Sequence, residues 1–324
     1  MYFIISIDTE EDNWDNFKDK PTLKNIQKIP ALQELFDRYK VRPTYLITYP
    51  VACDKPSVEI LKSILDSGKC EIGTHLHPWN TPPVQEVLNE KNRMLNNLSR
   101  ELQFKKLKNL HYKIKEEFNC TPVSFRAGRY GLNNDLTKNL MKLDYRIESS
   151  TTPFLDWSFL DGPDFSDFYM LNPYRFSSHN FKEKSEKGEL IEVPLSAGYL
   201  QKEFRLANTI FKKLKKRPIR YFKIIGILSL IGLLNRVRLT PEGYRISEMK
   251  KLIRAMMKNN VKFYNISFHS NTLFPGQTPF VSSNKELDLF LKKLEDIIKY
   301  MVEIGLKPIT LSEVQHKRIL TTGT

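Results

Sequence analysis

Short apolar runs alternate with longer segments of helical periodicity along most of the chain, and this alternation limits the possible folds more than any other feature. Residues 2–8, 44–48 and 70–74 are predicted strands, and the apolar spacing over residues 26–39 predicts a helix. Repeated units of this kind build a mostly parallel sheet covered by helices. Their number in 324 residues favours one barrel-like α/β domain, residues 1–324, over two separate domains.

The rest of the chain continues the pattern less regularly. A long helix is predicted over residues 89–118, and residues 149–185 lose periodicity and gather Pro, Gly, Asp, Ser and aromatic residues. A stretch of that length without regular structure is usually functional in a compact domain. The other predicted helices cover residues 57–68, 135–143, 247–258 and 284–304, and the other predicted strands cover residues 123–126, 145–148, 190–194, 262–268 and 307–310.

Composition excludes several classes of protein. The chain has 51 Lys and Arg against 37 Asp and Glu, a net charge of +14, with 40% hydrophobic and 27% charged residues. These proportions exclude a disordered polymer and a bundle of membrane helices. The three cysteines form no C-x-x-C pair, which argues against a disulfide framework and a thiolate zinc site. The first apolar run is too short for a signal peptide, so we expect a cytoplasmic protein.

Acidic residues follow the first predicted strand, at a place where α/β proteins build their sites. Asp8 ends the apolar run, and Thr9, Glu10, Glu11 and Asp12 come directly after it. Acids in such a cluster are often only surface or helix-terminal charges. Because Asp8 belongs to the apolar run itself, the cluster favours a bound cation or a general base.

Two histidines follow the third predicted strand, in the sequence GTHLHPW. His75 and His77 are two residues apart, so on an extended backbone both imidazoles point to one side and can bind one metal ion. A single histidine would more often be structural. Two of the six histidines of the chain in one turn favour metal ligation.

Two further polar clusters follow later strands. Arg126 lies in FRAGRYG, where an arginine at a strand end can bind a carboxylate in bidentate geometry; the alternative is a surface arginine beside a tight turn. His269 ends a predicted strand in ISFHSN, and its unperturbed pKa near neutrality suits a general acid. No role is assigned to the other histidines, which are His111, His179 and His316.

The order of these four motifs resembles the polysaccharide deacetylase family, also called NodB-like or carbohydrate esterase family 4. The resemblance covers most of the chain and is densest at GTHLHPW, FRAGRYG, LIEVPLS and FHSNTLFPG. It implies a distorted (β/α)7 barrel that removes acetyl groups from N-acetylated sugars with a divalent metal ion. The substrate would be a polysaccharide, an oligosaccharide or a glycan precursor.

The resemblance also implies a role for each cluster in amide hydrolysis. Asp8 would take the proton of the attacking water, Arg126 would orient Asp8, and His269 would protonate the leaving amine. A backbone N–H near Tyr130 would stabilise the oxyanion together with the metal. For the aromatic side chains of Trp79 and Trp157, stacking on sugar rings and burial in the core are both open.

The metal ligands that the resemblance implies are Glu10, His75 and His77. The family pattern has two adjacent aspartates and two histidines four residues apart, whereas here a threonine follows Asp8 and the histidines are two apart. The acidic ligand is therefore assigned two residues along, at Glu10, with Asp12 as the alternative, and ligation by His77 is left open. Zinc (Zn2+) is the first choice for such ligands, and Ni2+, Co2+ or Fe2+ would also bind.

One segment, an insertion at about residues 201–240, lies outside the resemblance. Nine Lys or Arg occur from Lys202 to Lys223, twelve uncharged residues follow, and Arg236 and Arg238 come next. Twelve residues cannot span a bilayer, which needs roughly 20. Adjacent basic and apolar stretches suit peripheral contact with an anionic membrane on its inner face. The alternative is a helical cap on the barrel that turns four side chains inward, those of Ile224, Ile227, Leu228 and Ile231.

Two other functions compete with deacetylation. Glycoside hydrolysis needs two carboxylates roughly 5 to 10 Å apart and no metal; the acids from Asp8 to Asp12 could supply them, but the paired histidines argue against it. A non-catalytic glycan-binding or membrane-associated homologue fits the threonine after Asp8 and the basic insertion. The combination of a base, an acid and an arginine favours an enzyme. Nucleic acid is not an expected partner, because no recognisable module accompanies the charge.

Overall fold

The computed structural model describes residues 1–12, 21–216 and 224–317. The strands of the described chain are β1 (Tyr2–Thr9), β2 (Thr44–Ile47), β3 (Glu71–Leu76), β4 (Ser124–Ala127), β5 (Ile147–Glu148), β6 (Tyr174–Phe176), β7 (Leu190–Glu192), β8 (Ala197–Tyr199), β9 (Arg236–Arg238), β10 (Phe263–His269) and β11 (Lys307–Pro308). Its α-helices are α1 (Ile29–Arg38), α2 (Tyr49–Cys53), α3 (Lys55–Asp66), α4 (Arg100–Phe118), α5 (Asn134–Met141), α6 (Phe204–Lys215), α7 (Ile224–Leu230), α8 (Ile246–Lys258) and α9 (Asn284–Glu303).

Seven parallel strands form the centre of a curled sheet, in the order β10-β1-β2-β3-β4-β5-β7. Strand β6 adds antiparallel beside β7, β11 pairs with the start of β1, and β8 and β9 form a separate antiparallel pair. Helices connect most of the parallel strands, as parallel pairing requires. The predicted distorted (β/α)7 barrel is confirmed.

Strand β1 fixes which side chains face the interior of the curled sheet. Phe3, Ile5 and Ile7 belong to the large core between the sheet and the helices, whereas Ile4 belongs to a second apolar cluster. Because successive side chains of a strand alternate between its two faces, Ser6 and Asp8 lie on the same side as Ile4. The apolar floor of the interior therefore gives way to polar residues toward the carboxyl end of the strand.

The predicted helix over residues 89–118 is wrong in its first third. Helix α4 begins only after Ser99, whose hydroxyl accepts the backbone N–H of Leu102 at 3.3 Å. Before it the chain forms short 3-10 turns, and the carbonyls of Leu95 and Leu98 accept hydrogen bonds from Gln103. Asparagine and serine favour caps over helix interiors, and this local chemistry overrides the apolar spacing that suggested a longer helix.

The long segment without periodicity, residues 149–185, is packed and contains β6. Phe154, Phe165 and Phe168 are at most 5% exposed and belong to the main core. Strand β6 has only three residues, which is too short for an alternating pattern to be recognised in the sequence. The prediction of a loop over this whole segment is therefore wrong for β6.

The insertion at residues 201–240 contains α6, α7 and β9. Leu228 packs against the core and Ile224 is half-buried, but Ile227 and Ile231 are 55% and 62% exposed. The helical cap with all four side chains inward is therefore wrong for Ile227 and Ile231. Among the described helices, none combines the length and the apolar character needed to cross a membrane.

Candidate active site

The carboxyl end of β1 points two acidic side chains into the interior of the sheet. Asp8 and Glu10 are both buried, whereas the hydroxyl of Thr9 donates to the carbonyl of Ile7 at 3.0 Å. The two acids share one side because they are two residues apart on extended backbone. The Asp-Thr-Glu sequence can therefore present two carboxylates to one site. On the neighbouring strand β10, His269 is the register partner of Asp8.

Glu10, His75 and His77 form one buried group. Oε2 of Glu10 lies 2.8 Å from Nε2 of His77 and 3.6 Å from Nε2 of His75. One candidate ligand atom from each residue lies within 4.8 Å of the others. Burial opposes ionisation of Glu10, but hydrogen bonds from both histidines lower its pKa, so the group contains a carboxylate.

The donor set fits a divalent metal ion. Nδ1 of His75 lies 3.1 Å from the carbonyl oxygen of Arg126 and must carry the proton to bond it. Nε2 is then the ring nitrogen that faces the Glu10 carboxylate, at 3.6 Å, and a bound cation would fit between the two. Two imidazoles and one carboxylate are also a ligand set of catalytic zinc sites, which keep a fourth position open.

His77 is neutral in this environment. Burial and the neighbouring His75 lower the pKa of His77 to about 4, despite the opposing effect of Glu10. A neutral imidazole is the form that binds a metal. Its Nδ1 is buried without a hydrogen-bond partner among the described residues. A Cβ added at Gly128 would lie 2.3 Å from this nitrogen, so the glycine of FRAGRYG leaves room for the His77 ring.

Asp12, the alternative acidic ligand, is engaged elsewhere. Its carboxylate accepts hydrogen bonds from the Thr22 hydroxyl, the backbone N–H of Lys24 and the side-chain amide of Asn25. These bonds stabilise the start of the connection from β1 to α1. Of the two acids, only Glu10 belongs to the buried group with the histidines.

Asp8 is held by a fully buried arginine. Nη1 of Arg126 donates to Oδ1 of Asp8 at 2.6 Å, and its other nitrogens donate to Ser6 and Ser149. Burial would raise the pKa of Asp8, but the positive charge of Arg126 and the nearby histidines lower it below its usual range. Asp8 is therefore ionised, with Oδ2 lying 4.0 Å from Nε2 of His75.

His269 faces Asp8 from the other side and has a carboxylate partner that sequence reasoning missed. Oε2 of Glu242 lies 2.9 Å from Nδ1 of His269, and Nε2 of His269 lies 3.8 Å from Oδ2 of Asp8. Burial alone would lower the pKa of His269, but Glu242, Glu10 and Asp8 raise it to about 9. Glu242 stands in a Pro-Glu-Gly turn after β9, and no spacing in the sequence connects it to His269.

One cavity of about 760 Å³, a size that suits a ligand of several hundred daltons, is lined by Asp8, Glu10, His75, His77, Glu242 and His269. Its wall also contains aromatic rings. Tyr130 and Trp157 lie with their centroids 4.9 Å apart, and Trp79 lies 4.1 Å from the His77 ring. Tyr130 has left-handed backbone, with φ of 61°, and its hydroxyl accepts a hydrogen bond from Arg238. The aromatic residues singled out in the sequence therefore border the same cavity.

No family model matches the chain, and no curated protein matches it. Among solved structures, a protein described as a polysaccharide deacetylase from Mycobacterium smegmatis has a TM-score of 0.48 at 17% identity, covering 95% of this chain and 93% of that one. A 4-alpha-glucanotransferase from Thermococcus litoralis has a TM-score of 0.49 at 12% identity, with 98% and 39% covered. A family 4 acetyl xylan esterase from Clostridium thermocellum, solved with a cobalt ion, has a TM-score of 0.45 at 11% identity, with 98% and 91% covered.

These similarities concern the path of the chain. Solved structures of similar fold thus include carbohydrate esterase family 4 deacetylases. They also include an enzyme that transfers glucan segments. At such low identities and TM-scores, likeness alone assigns no chemistry to this chain. The functional assignment rests on the side chains in the cavity.

Proposed function

We propose that this protein is a metal-dependent deacetylase that hydrolyses the N-acetyl group of an N-acetylated sugar. One observation carries the proposal. A buried carboxylate and two imidazoles, Glu10, His75 and His77, meet within 4.8 Å of one another in a cavity that also contains Asp8 and His269. Amide hydrolysis needs an activated water, a stabilised oxyanion and a protonated leaving amine, and this set of groups has the chemistry for each need.

Glu10, His75 and His77 would hold the metal ion. When bound there, a zinc ion would lower the pKa of water to about 7 and polarise the acetyl carbonyl, and Ni2+, Co2+ or Fe2+ could replace it. The buried position of all three side chains favours this role. Burial costs a carboxylate and two imidazoles their hydration, and a bound cation would compensate for that loss. The identity of the metal does not change what the other residues do.

Asp8 is the general base and His269 the general acid. The Asp8 carboxylate accepts a proton from the attacking water as its oxygen bonds to the acetyl carbon, and Arg126 keeps that carboxylate ionised and oriented. The carbon–nitrogen bond then breaks, and Nε2 of His269 gives its proton to the departing amine. A backbone N–H near Tyr130 donates to the oxyanion. The products are acetate and a free amino sugar.

The aromatic wall supports a carbohydrate as the substrate. Trp79, Tyr130 and Trp157 line the cavity beside the buried polar group, and aromatic faces suit the apolar C–H faces of sugar rings. We assign substrate contact to these three residues. The sugar chain would run along this wall with its acetamido group pointing toward Glu10 and the histidines.

Glycoside cleavage is the second candidate, and Glu11 is the observation that favours it. Glu11 lines the same cavity, and burial together with the neighbouring Glu10 raises its pKa. A carboxyl with a raised pKa in the same cavity as the ionised Asp8 is the kind of pair that glycosidases use. The paired histidines would then have no catalytic task, which is why deacetylation is preferred.

Product analysis separates the candidates. Purified protein is incubated with chitin oligosaccharides and with acetylated xylan oligosaccharides, before and after chelation and reloading with zinc. Deacetylation predicts acetate release that needs the metal and is lost in His75→Ala, whereas His316→Ala, which changes an exposed histidine outside the cavity, keeps wild-type activity. New reducing ends without acetate would assign glycoside cleavage. Binding of the oligosaccharides without any product would assign a non-catalytic glycan-binding protein.

A further inference from the structure

The insertion exposes an unusual concentration of apolar side chains. Of the fifteen exposed large hydrophobic residues in the described chain, six lie between residues 206 and 233. Exposures range from 41% to 89%, and Leu230 is the most exposed. Single exposed apolar residues are normal, but a concentration of them marks an interaction surface. We call the set the insertion surface; it consists of Leu206, Ile210, Ile227, Leu230, Ile231 and Leu233.

Two packed helices carry this surface. Leu206 and Ile210 are one helical turn apart on α6, so they share a face of that helix. Helix α7 packs against α6, and its end turns back through hydrogen bonds from the backbone N–H groups of Leu233 and Leu234 to the carbonyl of Leu228. Leu228 and Leu234 are the inward residues, which leaves Leu230, Ile231 and Leu233 outward. The inward packing of Leu228 and Leu234 therefore keeps the apolar side chains beside them in solvent.

Basic residues border the apolar side chains. The described part of the segment from residue 202 to residue 216 contains one acid, Glu203, and six Lys or Arg. Lys212 and Lys215 pair with Asp167 and Asp156, but most of the others point into solvent. The exposed basic side chains are Lys202, Arg205, Lys213, Lys215 and Lys216.

We propose that the insertion surface binds the anionic face of a lipid bilayer. Exposed leucine and isoleucine side chains would enter the boundary between headgroups and acyl chains, and the lysines of α6 would contact phosphate groups. The charge decides between this partner and a second copy of the chain. Two copies meeting through this surface would bring like charges together, whereas anionic headgroups complement them. The inference does not depend on the proposed catalytic activity.

The elements next to the insertion surface reach the wall of the cavity. Nζ of Lys215 lies 3.2 Å from Oδ2 of Asp156, the residue before Trp157, and Trp157 lines the cavity. After α7 the chain enters β9, whose last residue, Arg238, also lines the cavity. Bilayer binding through this surface would therefore set the cavity close to the membrane.

Vesicle co-sedimentation of the full chain tests the inference. The probes are vesicles of phosphatidylcholine alone and vesicles that also contain phosphatidylglycerol. We expect binding to the anionic vesicles that weakens with added salt, because exposed charges are screened beyond about 8 to 10 Å at physiological ionic strength. Each basic side chain near the headgroups contributes about fivefold in affinity, so Lys213→Gln with Lys216→Gln should cost roughly 25-fold.

Matched variants distinguish binding through the insertion surface from nonspecific adsorption of the protein to vesicles. Leu230, Ile231 and Leu233 are replaced together by Gln. Each substitution removes apolar area that would be buried in the bilayer, and each should lower the affinity for vesicles about tenfold or more. The control replaces Leu289 and Val302, which are 53% and 41% exposed on α9, by Gln. We expect loss of vesicle binding in the first variant and wild-type binding in the control.

Three results would overturn the inference. Equal partitioning of the triple variant and the wild type would show that the apolar side chains do not contact lipid. Equal binding to neutral and anionic vesicles would remove the role of the lysines. A dimer in sedimentation velocity that the triple variant dissociates, without vesicle binding by the wild type, would assign the surface to a second copy of the chain. Acetate release is read separately, so a failure of the catalytic proposal would not be mistaken for any of these.

Discussion

Glu242 holds both the backbone and the ring of His269. Its Oε1 accepts the backbone N–H of His269 at 3.0 Å, and its Oε2 lies 2.9 Å from Nδ1 of the imidazole. The Thr272 hydroxyl donates to the same carboxylate at 2.6 Å. This fixed geometry leaves Nε2 of His269 directed toward Asp8 and the cavity. The pair therefore fixes both the direction and the charge of the proposed general acid.

The charge of Glu242 leads to a pH prediction. Against the effect of burial, Glu242 acts first, with Glu10 and Asp8, to raise the pKa of His269 to about 9, so His269 is protonated at neutral pH and loses its proton as the pH rises through that value. Glu242→Gln keeps the shape but removes the charge, and the alkaline limb of kcat/KM should move to lower pH by about one unit or more. Glu313→Gln is the control, because it removes the charge of a carboxylate that pairs with Arg42 and does not line the cavity. An unmoved alkaline limb in Glu242→Gln would remove Glu242 from the mechanism.

Loss of either proton-transfer group should slow turnover with little change in zinc content. Asp8→Asn and His269→Ala are each expected to lower kcat by roughly 10² to 10⁴, the usual contribution of a positioned acid or base. Neither residue belongs to the group of Glu10 and the two histidines, so metal analysis of both variants should match the wild type. Activity within a fewfold of wild type in either variant means that its residue is not the base or the acid.

Gly128 should matter for metal affinity through the space it leaves. A methyl group at this position would lie 2.3 Å from Nδ1 of His77 and 2.7 Å from the carbonyl oxygen of Leu76. The backbone contact cannot relax easily, so Gly128→Ala should displace the His77 ring. Zinc binding should weaken by about 10- to 100-fold, the usual loss when the groups that orient a metal ligand are disturbed. Competition with a chromophoric chelator measures this. Gly226→Ala is the control, because a Cβ there meets nothing within 4 Å; equal zinc affinity in both variants would contradict a role for His77.

Much of the site was predictable because parallel strands end at one edge of a sheet. Asp8, Glu10, His75, Arg126 and His269 all follow apolar runs, and such runs in a parallel sheet bring their polar ends together. The two-residue spacing also predicted that His75 and His77 point to one side, and both belong to the buried group with Glu10. These residues meet because their strands pair in parallel and end at the same edge of the sheet. The strand pattern in the sequence is enough to predict that arrangement.

Other features depend on contacts that local sequence does not encode. Glu242 lies 27 residues before His269, on a turn whose direction is set by the packing of β8 and β9. The periodicity of α7 likewise predicts a stripe of apolar residues without saying which face meets the core. That is why the sequence does not show that Leu228 packs against the core while Ile227 is exposed.

Zinc stoichiometry is predicted at about one ion per chain. His75 supplies an imidazole whose Nε2 is turned toward Glu10 by the bond from Nδ1 to the Arg126 carbonyl, so His75→Ala removes a ligand and the orientation of the site together. Calorimetric titration of metal-free protein should give one binding event in the wild type and in His316→Ala, and none in His75→Ala. Full zinc occupancy in His75→Ala would mean that the ion binds elsewhere.

The position of the bound ion tests the central claim most directly. A crystal of the zinc-loaded protein, measured at the zinc absorption edge, locates the metal independently of any assay. The account predicts one strong anomalous peak at about 2.0 to 2.2 Å from an oxygen of Glu10 and from one imidazole nitrogen each of His75 and His77. A fully loaded crystal whose peak lies away from these three side chains would contradict it.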